Sequence, residues 1–357
     1  MLDEPWTNHL PVTDQALTDP TLFLSTLPYQ IGFLPTAGQA VLTCRRAGVF
    51  AETKVVNLDH DTEKVLTEYA QRFHRDNADP AIALTVVAED HHGPTSAADV
   101  LDRLVAALRR VGTDPVAACR VASITEGAVW TSAAGRTGVL VDPRDTPAGM
   151  AADIHGYTFH ADAQALEAIV APDPDEVVRR RADALGQLHW AEGLTLVAAD
   201  SGGPSPSRRR YDLAMKHLMA AIDPTPPLCE GEIVDLAAAL ADWRVRDKLM
   251  GHVHDRDLRN AGARLFGELT RACPTPVVAD VACLLAWYSL WRGDRALTLR
   301  ALARAEDAVP NHLLTELLSE AARSDSGLKR FDHIVGIARD VDLDRWPVVV
   351  GLPHYDR

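Results

Sequence analysis

The sequence predicts two domains of different class. An α/β domain spans residues 1–160, with a mixed, partly parallel sheet and flanking helices, and an all-α domain spans residues 161–357. Three observations predict this. Strand-like and helix-like segments alternate as far as about residue 130, the order that parallel pairing through helical crossovers requires. The run AIALTVVA at residues 81–88 is almost continuously apolar, as a strand covered on both faces is. Beyond residue 162 nearly every segment carries helical spacing between Pro- and Gly-rich breaks. A chain of 357 residues also fits about two domains at roughly 150 residues each.

In chain order, residues 40–45 and 49–58 are short runs with β-branched residues, divided by Gly48, and predict a hairpin or meander. Residues 62–78 place Val65, Leu66, Tyr69, Ala70 and Phe73 on one helical face, and Pro80 ends that helix. After the strand at 81–88, Thr95 or Ser96 can cap a helix whose first turn holds Asp99. That helix buries Val100, Leu101, Leu104, Val105 and Leu108 and stops at Gly112. Residues 116–125 predict the next strand, and Glu126-Gly127 turns it into a short one holding Val129 and Trp130. Residues 135–149 predict an exposed loop with a short strand in it.

The second half predicts helices at 162–170, 175–192, 208–222, 230–241, 244–254, 259–273, 277–291, 295–309 and 312–323. The breaks are APDP at 171–174, SGGPSPS at 201–207, DPTPP at 223–227 and PTP at 274–276. The stretch 201–207 is the best linker, and residues 345–355 predict a short terminal strand. Around residues 277–310, Gly293-Asp294, Ala305 and Pro310 fall at offsets resembling one tetratricopeptide unit. Only one such unit is visible, so a single helical hairpin within a larger helical domain is weighed against a short peptide-binding array.

Composition excludes several classes. Thirty-six basic and 50 acidic side chains give a formal net charge of −14, with 47% apolar and 24% charged residues. That is neither a disordered chain nor a disulfide scaffold. The acidic balance argues against a protein coated in nucleic acid. The five cysteines, Cys44, Cys119, Cys229, Cys273 and Cys283, show no metal-ligand spacing and predict free, mostly buried thiols in a reducing cytosol. The N-terminus has no secretory pattern, and the longest apolar stretch, residues 277–291, is interrupted by Asp280 and short of a spanning helix. The expectation is a cytoplasmic protein without a membrane partner.

Four segments together resemble a family. LPYQIGFLP (27–35), DAQALEAIVAPDP (162–174), VRDKL (245–249) and AWYSLWRGD…ALARAEDAVP (286–310) are similar, in order and spacing, to domain of unknown function family 4192. The resemblance covers roughly residues 15–325. It implies an actinobacterial or actinophage origin, in keeping with the Ala-, Asp- and Arg-rich composition, and it implies no activity. One departure is that the stretch after Trp130, TSAAGRTGVLVDP, lacks the cysteine that family members often carry there.

Two side-chain sets are candidates for chemistry. The predicted strands end in Asp59-His60-Asp61, in Glu89-Asp90-His91-His92 and in Thr125-Glu126. Were these strands adjacent and parallel, Asp59, Asp61, Glu89, His91 and His92 would converge on one sheet edge, where open sheets bind ligands. Such a set could hold a divalent metal or supply a general base. Helix capping and a solvated loop are the structural alternatives. The second set is two basic triplets, Arg179-Arg180-Arg181 and Arg208-Arg209-Arg210, which could meet an acidic partner or phosphate, or be solvated helix faces or intramolecular partners for the many acids. His252-x-His254-Asp255 resembles part of a metal motif without its completing ligand, and His155 and His160 flank an aromatic stretch whose role is core or loop. No phosphate loop, dinucleotide fingerprint or nucleophile elbow occurs, and no motif indicates a cofactor.

Three functions follow. The first is a non-enzymatic interaction or regulatory protein, with a protein partner bound by the helical domain. The alternative is a metal- or small-molecule-binding enzyme using the acidic/His edge. The third is a nucleic-acid-associated factor using the Arg clusters.

Overall fold

The computed structural model describes residues 19–46, 49–76, 80–89, 96–198, 204–223, 226–323 and 331–344. The chain forms two compact units, Met1–Leu166 and Glu167–Arg357.

The first unit is α/β. Helix α1 (Pro20–Ile31) starts where the Asp19 carboxylate accepts the Thr21 N–H and stops at Gly32, in the left-handed region at φ 84°. Strands β1 (Gln39–Arg46) and β2 (Val49–Asn57) form the expected antiparallel hairpin. Then come α2 (Thr62–Asp76), β3 (Pro80–Val87), α3 (Ala97–Arg110), β4 (Ala117–Val121), β5 (Val129–Ser132), β6 (Thr137–Val139), α4 (Pro147–His155) and α5 (Ala163–Glu167). Ser96 is the cap of α3. Its hydroxyl accepts the Asp99 N–H while the Asp99 carboxylate accepts the Ser96 N–H, each at 3.1 Å, a complete capping box.

The six strands lie in the order β2-β1-β3-β4-β5-β6. Only β3 and β4 pair in parallel; the other neighbours are antiparallel. One face packs Leu42, Cys44, Leu84 and Val86 against Leu66, Ala70 and Phe73 of α2 and Leu101, Leu104 and Leu108 of α3. The opposite face is also buried at Val41, Thr43, Thr85 and Val87. Double coverage is why β3 is apolar at consecutive positions. Strand β4 is shorter than the sequence predicts. Its last pair is Val121 with Trp130, and the chain then turns back through Gly127 at φ 79°, so Thr125 and Glu126 belong to a turn. Gly138 lies opposite Trp130, and a Cβ there would sit 2.7 Å from the indole. With that space open, the ring is buried and its N–H donates to Thr21 Oγ1 at 2.9 Å.

The second unit is helical: α6 (Asp175–Ala198), α7 (Pro206–Ala220), α8 (Glu230–Leu240), α9 (Trp243–Met250), α10 (Arg256–Ala272), α11 (Val277–Arg292), α12 (Arg295–Ala308), α13 (Leu313–Arg323) and α14 (Asp332–Arg339). Of the linker stretch 201–207, residues 201–203 lie outside the described residues, and Pro206 and Ser207 already belong to the first turn of α7. The terminal strand expected at 345–355 lies outside the described residues. Helix α11 is its axis. Every residue from Val277 to Trp291 except Asp280 is buried, as in a helix apolar on all sides. The longest apolar stretch of the sequence is therefore core, and no described helix is long and apolar enough to cross a membrane. The Trp287 indole donates to the Met250 carbonyl at 3.0 Å, and the Tyr288 hydroxyl donates to the Leu249 carbonyl at 2.7 Å. Gly293, at φ 83°, ends α11, and Asp294 caps α12 by accepting the Leu297 N–H. The two helices make the expected hairpin.

Candidate functional site

The acidic edge of the first unit is dispersed. β1 lies between β2 and β3, so the strands that end near Asp59 and Glu89 run the same way but are not neighbours. Asp59 and Asp61 are exposed. The Asp59 carboxylate accepts the Asp61 N–H at 2.9 Å and the Thr62 hydroxyl at 3.3 Å, and so ties the start of α2. His60 pairs with Asp61 at 3.2 Å in solvent. Glu89 is exposed; His91 and His92 lie outside the described residues. Among the described residues no group of three or more His, Cys, Asp and Glu side chains is placed to hold a metal.

The basic triplets divide by depth. Arg181 is buried in the second unit, where it donates to Asp173 at 2.6 Å, to the Ala272 carbonyl at 3.1 Å, and through Nε and Nη2 to both Glu230 oxygens at 3.0 and 2.8 Å. This fork joins α6 to α8 and the end of α10. It holds the Glu230 carboxyl below the usual carboxylate range. Arg210 pairs with Glu192 and stands 3.7 Å from Asp242. Arg208 pairs with Asp344 at 3.2 Å, Arg209 donates to the Pro204 carbonyl at 2.5 Å, and Arg179 pairs with Glu176. Arg180 is exposed.

The histidines near residue 252 do not converge either. His252 lies 2.7 Å from the Tyr211 hydroxyl, and burial, with the Arg339 and Lys248 charges, pushes its pKa down. His254 pairs with Asp332 at 3.2 Å and packs on the Trp291 ring. Asp255 caps α10 through the Asp257 and Leu258 amides. His155 ends α4, and His160 bridges its backbone to Gly32 and Leu34.

The second unit holds a groove of about 770 Å³. It is lined by α13 and α14, together with residues of α9 and of the α12–α13 turn. Its walls are Leu313, Leu317 and Leu318 on one side and Ile334, Ile337 and Val341 on the other, with Met250 and Phe331 also lining it. Leu313, Leu317 and Ile337 are 69, 53 and 65% exposed. The turn that sets α13 in place centres on Asn311, at φ 60° with its N–H donating to Glu306; asparagine tolerates that conformation.

Arg246, Asp247 and His312 of that lining belong to a polar cluster. Arg246 donates to Asp280 and, through Nε at 2.8 Å, to Asp247. His312 Nε2 stands 3.2 Å from the same Asp280 oxygen. His312 Nδ1 is 3.2 Å from Thr315 Oγ1, and Cys283 Sγ is 3.3 Å from that hydroxyl and 3.8 Å from Nδ1. Burial alone would raise the Asp280 carboxyl, yet the His312 and Arg246 hydrogen bonds and charge hold it below the usual range.

Thiol, imidazole and carboxylate stand in the order of a nucleophilic triad, but Cys283 is fully buried and burial pushes its thiol up to about 12. A nucleophilic cysteine needs the opposite shift and access. The cluster therefore works as a polar floor that fixes α9 and α13 on α11. Its signal was present in the sequence: a lone carboxylate inside an apolar helix has to be paired.

All five cysteines are free, and four are buried. A family model described as Domain of unknown function (DUF4192) matches residues 20–326. No curated protein and no solved structure matches the chain.

Proposed function

The chain belongs to the DUF4192 family, and we propose that it is a non-enzymatic interaction or regulatory protein that binds a protein partner through its helical unit. The observation that carries this reading is the groove between α13 and α14, whose walls leave Leu313, Leu317 and Ile337 open to solvent. Exposed apolar side chains gathered in one concavity mark interaction sites, whereas scattered ones do not. The tetratricopeptide-like offsets of the α11–α12 hairpin support a module that presents grooves to peptides. The internal pairing of Arg181 and Arg210 argues against a nucleic-acid role for the triplets. The free thiols support a cytoplasmic setting, and the composition supports an actinobacterial one.

The test is affinity capture from the native host, comparing wild type with Leu317→Asp, Ile337→Asp and, as a control outside the groove, Leu299→Asp. A partner retained by wild type and the control but lost from both groove variants is the expected result. A melting temperature raised by a divalent ion or a nucleotide, with no groove-dependent partner, overturns the reading in favour of an enzyme or small-molecule binder.

A further inference from the structure

We infer that the groove between α13 and α14 takes a basic amphipathic helix of the partner, an inference that rests on the interaction reading above and names the partner's chemistry.

The first argument is shape. From Leu313 to Ala321, α13 offers two turns of wall, about 12 Å at 1.5 Å per residue. Leu313, Leu317 and Ala321 line the groove at intervals of four, and Ile334, Ile337 and Val341 face them at intervals of three and four. Two helical walls with that periodicity accept the apolar stripe of a third helix, with anchors at its own three- and four-residue spacing.

The second argument is charge. Every cation of α9 and α14 whose bonds are described is engaged by the fold. Arg246 is held by Asp247 and Asp280. Lys248 donates to the Arg339 and Val341 carbonyls at 2.8 Å each. Arg339 Nε donates to the Gly251 carbonyl at 2.8 Å. The carboxylates are less fully used. Asp280 is satisfied by Arg246 and His312, and Asp247, which lines the groove together with Arg246 and His333, has only the guanidinium it shares with Asp280. Glu320 also lines it, and Glu316 lies one turn earlier on α13; both are exposed and without an ion pair among the described residues. A ligand helix that covers the apolar walls thus brings its flanks to Glu316 and Glu320, the acids of α13 without an ion pair among the described residues. Lysine or arginine flanks are complementary there, and acidic flanks are repelled. The net charge of −14 gives the same sign at long range.

The experiment uses the full chain and two synthetic helices of about 18 residues, five turns, with the same leucine stripe and either lysine or glutamate elsewhere. Binding is followed by fluorescence anisotropy at physiological ionic strength. The expected result is saturable binding of the Leu/Lys helix, at least about 10-fold tighter than the Leu/Glu helix. Leu317→Asp makes the protein more acidic yet should weaken the Leu/Lys helix by about 10-fold or more, which separates groove binding from general attraction. Glu320→Lys should narrow the preference between the two helices.

Equal or tighter binding of the Leu/Glu helix overturns the basic partner and leaves the groove reading standing. Leu/Lys binding indifferent to Leu317→Asp overturns the groove as its site. No binding of either helix overturns both readings. So does a concentration-dependent dimer abolished by Leu317→Asp, which would make a second copy the occupant. Circular dichroism and the melting temperature of each variant confirm that it is folded.

Discussion

A Cβ built on Gly262 would lie 2.2 Å from Cδ1 of Tyr288. Gly262 is on α10 and Tyr288 on α11, and both are buried. The glycine is thus what lets the tyrosine ring approach the neighbouring helix so closely and send its hydroxyl to the Leu249 carbonyl. Gly262→Ala would ordinarily stabilise a helix by about 1 kcal/mol. Here overpacking of a fully buried ring outweighs that gain, and a net loss of about 2 kcal/mol is expected from chemical denaturation. A variant as stable as wild type would show that the ring can move aside.

Arg181 is a hub of the helical unit. Replacing it with alanine leaves Asp173 and Glu230 without their cation and the Ala272 carbonyl without its donor. The expected loss is about 2 kcal/mol, because Asp173 and Glu230 keep access to water. Arg181→Lys should recover little of it, because a lysine cannot address both Glu230 oxygens and Asp173 together. Equilibrium unfolding of both variants checks this; full recovery by lysine would reduce the interaction to charge alone.

Acid should weaken the Asp280 cluster in a defined window. The folded carboxyl is held below its ordinary value, so folding releases a proton from Asp280 as the pH falls past the unfolded value of about 3.9. The contribution is complete above about pH 4 and disappears as pH drops through the folded value. Asp280→Asn should therefore cost about 3 kcal/mol at pH 7, with the gap to wild type closing below pH 4. Urea titrations across pH 3 to 7 measure that difference, and a gap independent of pH would contradict the assignment.

Thiol chemistry should single out Cys229, the one exposed cysteine, at the start of α8. Cys119 is pushed up to about 11 and Cys273 and Cys283 to about 12 by burial. Native protein treated with iodoacetamide near neutral pH should carry one label, on Cys229, and denatured protein five. Rapid labelling of Cys283 in the native state would reopen the triad that its burial closes.

Much of the fold was legible locally. The β1–β2 hairpin, the Ser96 cap, the apolar run of β3 and the helices of the second half follow from spacing, capping and breakers, which neighbouring residues carry by themselves. The strand order was not legible. Placing β1 between β2 and β3 depends on pairing Ala40 with both Val56 and Val86, and no local pattern records which partners a strand chooses. That insertion is what separates Asp59 from Glu89. The groove was hidden for a related reason. Helix α14 has eight residues, and its apolar face has meaning only opposite α13. The Arg246–Asp280–His312 cluster joins three segments distant in sequence, with Asp280 alone announcing it.

The central position of β1 also bears on how the first unit comes together. The hairpin with β2 closes on contacts close in sequence, which form early, whereas β3 must arrive from about forty residues further on. Until it does, β1 offers a row of unpaired amides and carbonyls beside Leu42 and Cys44, the kind of open strand that recruits other chains. The helical unit satisfies its backbone within each helix and leaves no comparable open edge while it assembles. Refolding at high concentration should therefore lose material through the sheet's unfinished hairpin, and strand β3 acts as the guard of that edge.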